Sequence, residues 1–134
     1  FSSKEASKRY THPLHGFSFV YPEGFKIVSH STDEDGEVII IEKNKDAGFQ
    51  IFITPHDERA ITPERILLDM PDLVIKNVRV ASLDGTDSYV FNSEDADITD
   101  TYEVWFVRDH RLYQIMTYAH FENGLNQILQ TWKF

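Results

Sequence analysis

The sequence predicts an α+β fold in which a mainly antiparallel β-sheet carries helices on both faces, an α/β/α sandwich. Short apolar or alternating segments are separated by tight-turn dipeptides, which indicates hairpins. The central segments 37–43 and 49–54 are apolar on both sides, and such strands need a packed layer on each face. Two amphipathic segments, one mid-chain and one at the C-terminus, are the predicted layers.

The strand predictions follow from apolar patterning and from the turns between the segments. Asp35-Gly36 and Asp84-Gly85 favour tight hairpin turns because both residue types tolerate positive φ. The two-residue turn 109–110 predicts a third hairpin within 101–119. The other predicted strands are 17–21, 25–31, 37–43, 49–54, 74–83 and 86–93.

Two helices are predicted from capping signals and periodicity. In 61–71, Thr62 is a suitable N-cap, Pro63 suits the first turn, and Pro71 ends the helix. The C-terminal segment places apolar residues on one helical stripe. These are Phe121, Leu125, Ile128, Leu129 and Trp132.

Composition limits the classes of function. The 134 residues predict one domain, 10–134, after a flexible N-terminal lead, 1–9. The net charge of −9 repels phosphate backbones, so no nucleic acid is expected as a partner. The absence of cysteine removes disulfides, thiolate nucleophiles and cysteine-based zinc sites. No apolar run is long enough for an integral membrane span, and a cleaved signal or a membrane tether is expected upstream of residue 1.

Two histidines stand three residues apart, His12 and His15, in the segment 12–15. Two interpretations are open: loop residues, which we favour, and metal ligands. Pro13 disfavours the helical backbone that would put both rings on one face. Zinc would also need further ligands that the spacing does not identify.

An acidic loop at 93–100 is the stronger metal candidate. Asp95, Asp97 and Thr99 alternate like the first half of a calcium loop, but Asp100 stands where such a loop needs glycine and Phe106 where it needs glutamate. The carboxylates of Asp95, Asp97 and Asp100 remain as candidate ligands. The sequence therefore predicts at most a weak divalent-cation site there, for calcium or manganese, and no other cofactor. The acidic turn 33–37 is a lesser candidate of the same kind.

No catalytic residues are predicted. The serines lack the G-x-S-x-G context, and a serine–histidine–acid set cannot be assembled from spacing. His56 and His120 follow predicted strands beside Asp57 and Glu122, where surface pairs are the usual outcome. We expect a protein that is not an enzyme, with an unrecognised small hydrolase as the alternative.

The segment 10–25 resembles the opening motif of PsbP-like domains: a tyrosine, a short loop, Gly-Phe, then a strand that ends in Tyr-Pro before an aromatic residue. The matching residues are Tyr10, Gly16, Phe17, Tyr21, Pro22 and Phe25. Phe25 departs from the tryptophan more usual in that family. The resemblance would cover about 10–134, and it implies the α/β/α sandwich and no shared catalytic apparatus.

The family includes extrinsic accessory subunits of photosystem II and small secreted or lipid-anchored bacterial proteins. The resemblance therefore implies a non-catalytic, extracytoplasmic accessory domain, secreted or membrane-anchored, whose partner is a protein. The alternative, from a different class, is a divalent-cation binding protein that uses the loop 94–100.

Overall fold

A computed structural model describes residues 7–32, 35–56, 62, 64–65, 68, 74–94 and 100–134. Nine strands and one short helix with defined bounds are present in these ranges. The strands are β1 (Ser7–Thr11), β2 (Ser18–Pro22), β3 (Lys26–Ser31), β4 (Glu37–Asn44), β5 (Ala47–Pro55), β6 (Val74–Leu83), β7 (Thr86–Glu94), β8 (Thr101–Arg108) and β9 (Arg111–Tyr118). A 3₁₀ turn, Ala119–Phe121, leads into helix α1, Glu122–Leu129.

Seven strands form one antiparallel sheet in the order β3-β4-β5-β9-β8-β7-β6. Consecutive strands pair as hairpins across the predicted turns, and β5 pairs with β9 at the centre. Asp35, Asp84 and both residues of the turn Asp109-His110 have positive φ, as tight hairpin turns require. The predicted hairpins are therefore confirmed.

A separate two-stranded sheet, β1–β2, lies over one face of the large sheet. Tyr10 is opposite Phe19 in its register. Phe17 and Phe19 are fully buried in the main core with Ile39, Ile51 and other residues of the large sheet. Helix α1 covers the same core with three buried side chains, Leu125, Ile128 and Leu129. A second, smaller core contains Phe91, Trp105 and Leu112.

The predicted α/β/α sandwich is wrong. The layer over the main core is a β-hairpin together with one short helix, rather than a helical layer. Phe19 lies in β2 and Phe17 directly precedes this strand, and this segment belongs to a covering layer and not to the central sheet. Apolar strand faces do require cover, and a hairpin with two large aromatic residues supplies it as well as a helix.

The predicted helix 61–71 lies mostly outside the described residues. Glu64, Arg65 and Leu68 have helical conformation. The Arg65 backbone N–H donates to Thr62 Oγ1 at 3.2 Å, which is the N-cap bond expected of this threonine. The C-terminal helix is confirmed, although it is shorter than its predicted segment. In the described ranges, no helix has the length and apolar character needed to cross a membrane.

Candidate functional site

His12 closes the loop between β1 and β2 through its backbone and its ring. Its backbone N–H donates to the Phe17 carbonyl at 2.8 Å, and the Gly16 N–H donates to the His12 carbonyl at 3.1 Å. Gly16 has φ +78°, which suits glycine. His12 Nδ1 accepts two further backbone hydrogen bonds, from Leu14 at 3.1 Å and from His15 at 3.0 Å. The imidazole therefore acts as a cap inside the turn.

The other nitrogen of the same ring meets a carboxylate from the large sheet. His12 is 2 % exposed, and its Nε2 lies 2.6 Å from Glu37 Oε1. Because Nδ1 is an acceptor of two N–H groups, the ring proton is on Nε2 and is donated to Glu37. His12 is thus held as a neutral imidazole in one tautomer.

Glu37 is the first residue of β4 and has a second partner on β3. Ser29 Oγ donates to Glu37 Oε2 at 2.5 Å. Burial raises the pKa of this carboxyl, but the hydrogen bonds from Ser29 and His12 outweigh burial, so its pKa lies below the ordinary value. Glu37 is therefore a carboxylate at neutral pH, with 22 % of its side chain exposed.

His15 stacks on His12, with ring centroids 4.5 Å apart and planes 15° from parallel. Burial is the main cause that lowers the pKa of His15 below the ordinary value, and the nearby Arg111 charge adds to it. The ring is neutral at pH 7 and partly exposed. One ligand atom from each of His12, His15 and Glu37 lies within 4.8 Å of the other two. These three residues form the candidate site.

The structure thus brings both predicted histidines together and adds Glu37, which the spacing did not connect to them. A two-histidine, one-carboxylate set is a ligand combination used for zinc and for other borderline divalent metals. The only indication of Glu37 in the sequence was its place in the acidic turn 33–37. Its proximity to His12 arises from the layering of β1–β2 over β3–β4.

The acidic loop 93–100, the stronger metal candidate from the sequence, lies only partly within the described residues. Asp95 and Asp97 lie outside the described residues. Asp100 accepts a hydrogen bond from Lys76 Nζ at 3.0 Å, and Lys76 also binds Glu94 at 3.3 Å. A cation at Asp100 would have to displace this ammonium group, but the loop site stays a prediction.

Among the described residues, no side-chain hydrogen bond or ion pair joins the histidines of the hydrolase alternative, His56 and His120, to a serine or an acid. His56 is buried, with no hydrogen-bond partner at Nε2, and Asp57 lies outside the described residues. His120 is exposed and stacks on Tyr118. Ser29 shares the Glu37 carboxylate with His12, but it donates to the carboxylate rather than to the imidazole. In a catalytic triad the imidazole stands between the hydroxyl and the acid, so this order does not activate Ser29.

Sequence reasoning also missed a buried carboxylate at the smaller core. Glu103 is 5 % exposed and accepts hydrogen bonds from Trp105 Nε1 at 3.0 Å and from Thr101 Oγ1 at 3.0 Å. Ser93 Oγ donates to it as well. Its donors are all side chains of β7 and β8, so Glu103 ties these strands together.

Comparison with known proteins gives a match in structure alone. No protein-family model matches the sequence, and no curated protein is detectably similar to it. The solution structure of cyanobacterial PsbP (CyanoP) from Synechocystis sp. PCC 6803 superposes with a TM-score of 0.60. The match covers 96 % of this chain and 92 % of that chain at 12 % sequence identity. The chain therefore has a PsbP-like fold.

Proposed function

We propose that this chain is a non-catalytic accessory domain of PsbP type that works outside the cytoplasm by binding another protein. The observation that carries the proposal is the fold match to cyanobacterial PsbP over nearly the whole of both chains. A match of that extent supports a domain of the same organisation, without a large inserted catalytic unit. Fold alone does not define a role, so the supporting details come from the chain's own surface.

The residues that resemble the PsbP opening motif are packing residues in this structure. The Tyr10 ring lies 5.3 Å from the Phe19 ring across the hairpin. Phe17 is fully buried, and Gly16 supplies the positive φ of the turn. The resemblance therefore rests on residues that build a stable layer rather than on chemical groups that act on a substrate. This favours a binding role over a catalytic one.

The edge strand β6 is the most suitable protein-contact surface in the described part of the chain. Within those ranges β6 pairs with β7 alone. Three of its valines are exposed: Val74 by 50 %, Val78 by 44 % and Val80 by 61 %. Exposed apolar edge strands are unfavourable in water unless a partner covers them. We therefore place the partner's contact along β6.

Site-specific cross-linking in the source cells tests this proposal. A photoreactive amino acid replaces Val80 in one variant and Lys43, an exposed residue of β4, in the matched control. We expect one discrete protein adduct from position 80 and none from position 43, and we expect it in the extracytoplasmic fraction. The adduct from position 80 should disappear when Val74→Asp and Val78→Asp are added to that variant. Equal labelling from both positions would contradict the binding surface. Recovery of the chain in the cytoplasmic fraction would contradict the location.

A further inference from the structure

We propose that His12, His15 and Glu37 bind one Zn²⁺-like divalent ion and that binding opens the loop between β1 and β2. The site goes beyond the accessory role proposed above and uses a different part of the surface. It combines two imidazoles and one carboxylate whose ligand atoms already lie within 4.8 Å of one another. Imidazole nitrogen favours zinc, copper and nickel over calcium and magnesium, which prefer oxygen ligands.

The distances show what must change when the ion enters. Two ligands at about 2.0 Å from a tetrahedral zinc stand about 3.3 Å apart. His12 Nε2 and Glu37 Oε1 are 2.6 Å apart, so they must separate by about 0.7 Å to admit the metal. Glu37 and His15 are partly exposed and can rotate, whereas buried His12 is the fixed member. Solvent at the exposed side supplies the fourth position.

The tautomer of His12 explains why the loop has to open. Nε2 carries the proton that it donates to Glu37, and a metal can bind Nε2 only when that proton has left. A neutral ring then carries its proton on Nδ1, where the backbone N–H groups of Leu14 and His15 now donate. Three N–H groups cannot point at one another, so these two hydrogen bonds must break. Zinc binding therefore moves a proton from Nε2 to Nδ1 of His12 and frees two loop amides.

The proton of His12 stays on the ring when the ion binds, because it moves from Nε2 to Nδ1. The surrounding charges partly offset each other, since Arg111 opposes a cation beside His15 and Asp109 favours one.

Isothermal titration with ZnCl₂ tests the site on the full chain. Removing an outer-shell partner of a metal site typically weakens binding about 10–100-fold. His15 is a proposed direct ligand, whose loss should cost more, so we expect His15→Ala to weaken zinc binding by at least about 100-fold. Glu37→Gln is expected to weaken zinc binding by a similar factor. The matched controls are His120→Ala, which removes an exposed histidine elsewhere, and Asp95→Asn/Asp97→Asn/Asp100→Asn in the acidic loop. Both controls are expected to retain the wild-type affinity.

Amide NMR spectra of the same samples report on the loop. We expect faster solvent exchange of the Leu14 and His15 amides when zinc is bound. His15 is partly exposed and lies at the loop, so His15→Ala should fold and gives the decisive comparison even if Glu37→Gln does not fold. Wild-type affinity in His15→Ala, or equal losses in the controls, would overturn the site. Unchanged exchange of these amides on zinc binding would overturn the loop opening.

Discussion

The packing of the β1–β2 hairpin depends most on Phe17, and Phe17→Ala gives a direct test of this layer. Phe17 is fully buried, and its ring stacks on Trp132 at 4.7 Å with planes 3° from parallel. It also meets the Tyr113 ring edge-on at 5.7 Å. Phe17 therefore joins the hairpin loop to the sheet and to the C-terminal segment.

The expected loss of stability follows from burial and ring contacts. Truncating a buried phenylalanine to alanine typically costs about 3–5 kcal/mol. Each well-oriented aromatic pair adds about 0.5–1.5 kcal/mol beyond its buried area, so the lower end of that range does not apply. We take about 4 kcal/mol as the expected decrease in the free energy of unfolding. With an unfolding entropy of about 2.1 cal/mol/K per residue, the melting temperature should fall by about 14 °C.

Urea unfolding followed by tryptophan fluorescence measures this loss, because Trp132 is the direct neighbour of Phe17. The matched control is Leu14→Ala in the same loop. Leu14 is 84 % exposed, and a surface change of this kind should alter stability by no more than about 0.5 kcal/mol. A loss below about 1.5 kcal/mol for Phe17→Ala would refute the packing of the hairpin as a layer on the main core.

Three further variants test individual polar contacts. Glu103→Leu should lower the free energy of unfolding by about 2–3 kcal/mol, because it leaves buried donors unpaired; urea unfolding checks this. Thr131→Val should lower it by about 1–3 kcal/mol, because the Val20 N–H donates to Thr131 Oγ1 at 2.7 Å, whereas Thr131→Ser keeps that oxygen as a control. The hydrogen bond from Lys76 lowers the pKa of Asp100, so Lys76→Met should raise this pKa toward the ordinary value in a carboxyl NMR titration.

Each of these variants has an outcome that contradicts its reasoning. Unchanged stability in Glu103→Leu would mean that the buried donors find other partners. Equal losses in Thr131→Val and Thr131→Ser would assign the effect to packing rather than to the hydroxyl. For Asp100 the folded pKa is depressed, so its contribution to stability is present above the unfolded pKa and disappears as pH falls through the folded value. A titration of Asp100 that is the same with and without Lys76 would exclude this contact.

The hairpins of the large sheet could be predicted from the sequence because their signals are local. Asp84-Gly85 and Asp109-His110 occupy positive φ, and few residue types do so readily. Turn residues and strand patterns are both contained in short windows, so the pairing of neighbours followed from them. The antiparallel sheet was correct for this reason.

The covering layer, β1–β2, could not be predicted in the same way. Alternation in 17–21 identifies a strand, but it does not say whether that strand joins the central sheet or packs across it. β2 pairs with β1 and, through Ser18, with Lys133 near the C-terminus, more than 100 residues away. The choice between a helix and a hairpin as cover is therefore made by long-range packing, and the sequence-based preference for helices on both faces was wrong.

In the candidate site, His12 takes part both in a local pattern that the sequence shows and in a long-range contact that it does not show. The spacing of His12 and His15 was visible, and the argument from Pro13 that the segment is not helical holds, since the segment is a turn. What the spacing could not show is that a turn also brings the two rings into contact, nor that Glu37 arrives from β4. His12 Nδ1 accepts hydrogen bonds from two backbone N–H groups, and these bonds stabilise the turn. They also fix the ring proton on Nε2, the nitrogen that faces Glu37. The hydrogen bonds that shape the loop are therefore the ones that any metal ion must break, which couples occupancy of this site to the shape of the hairpin.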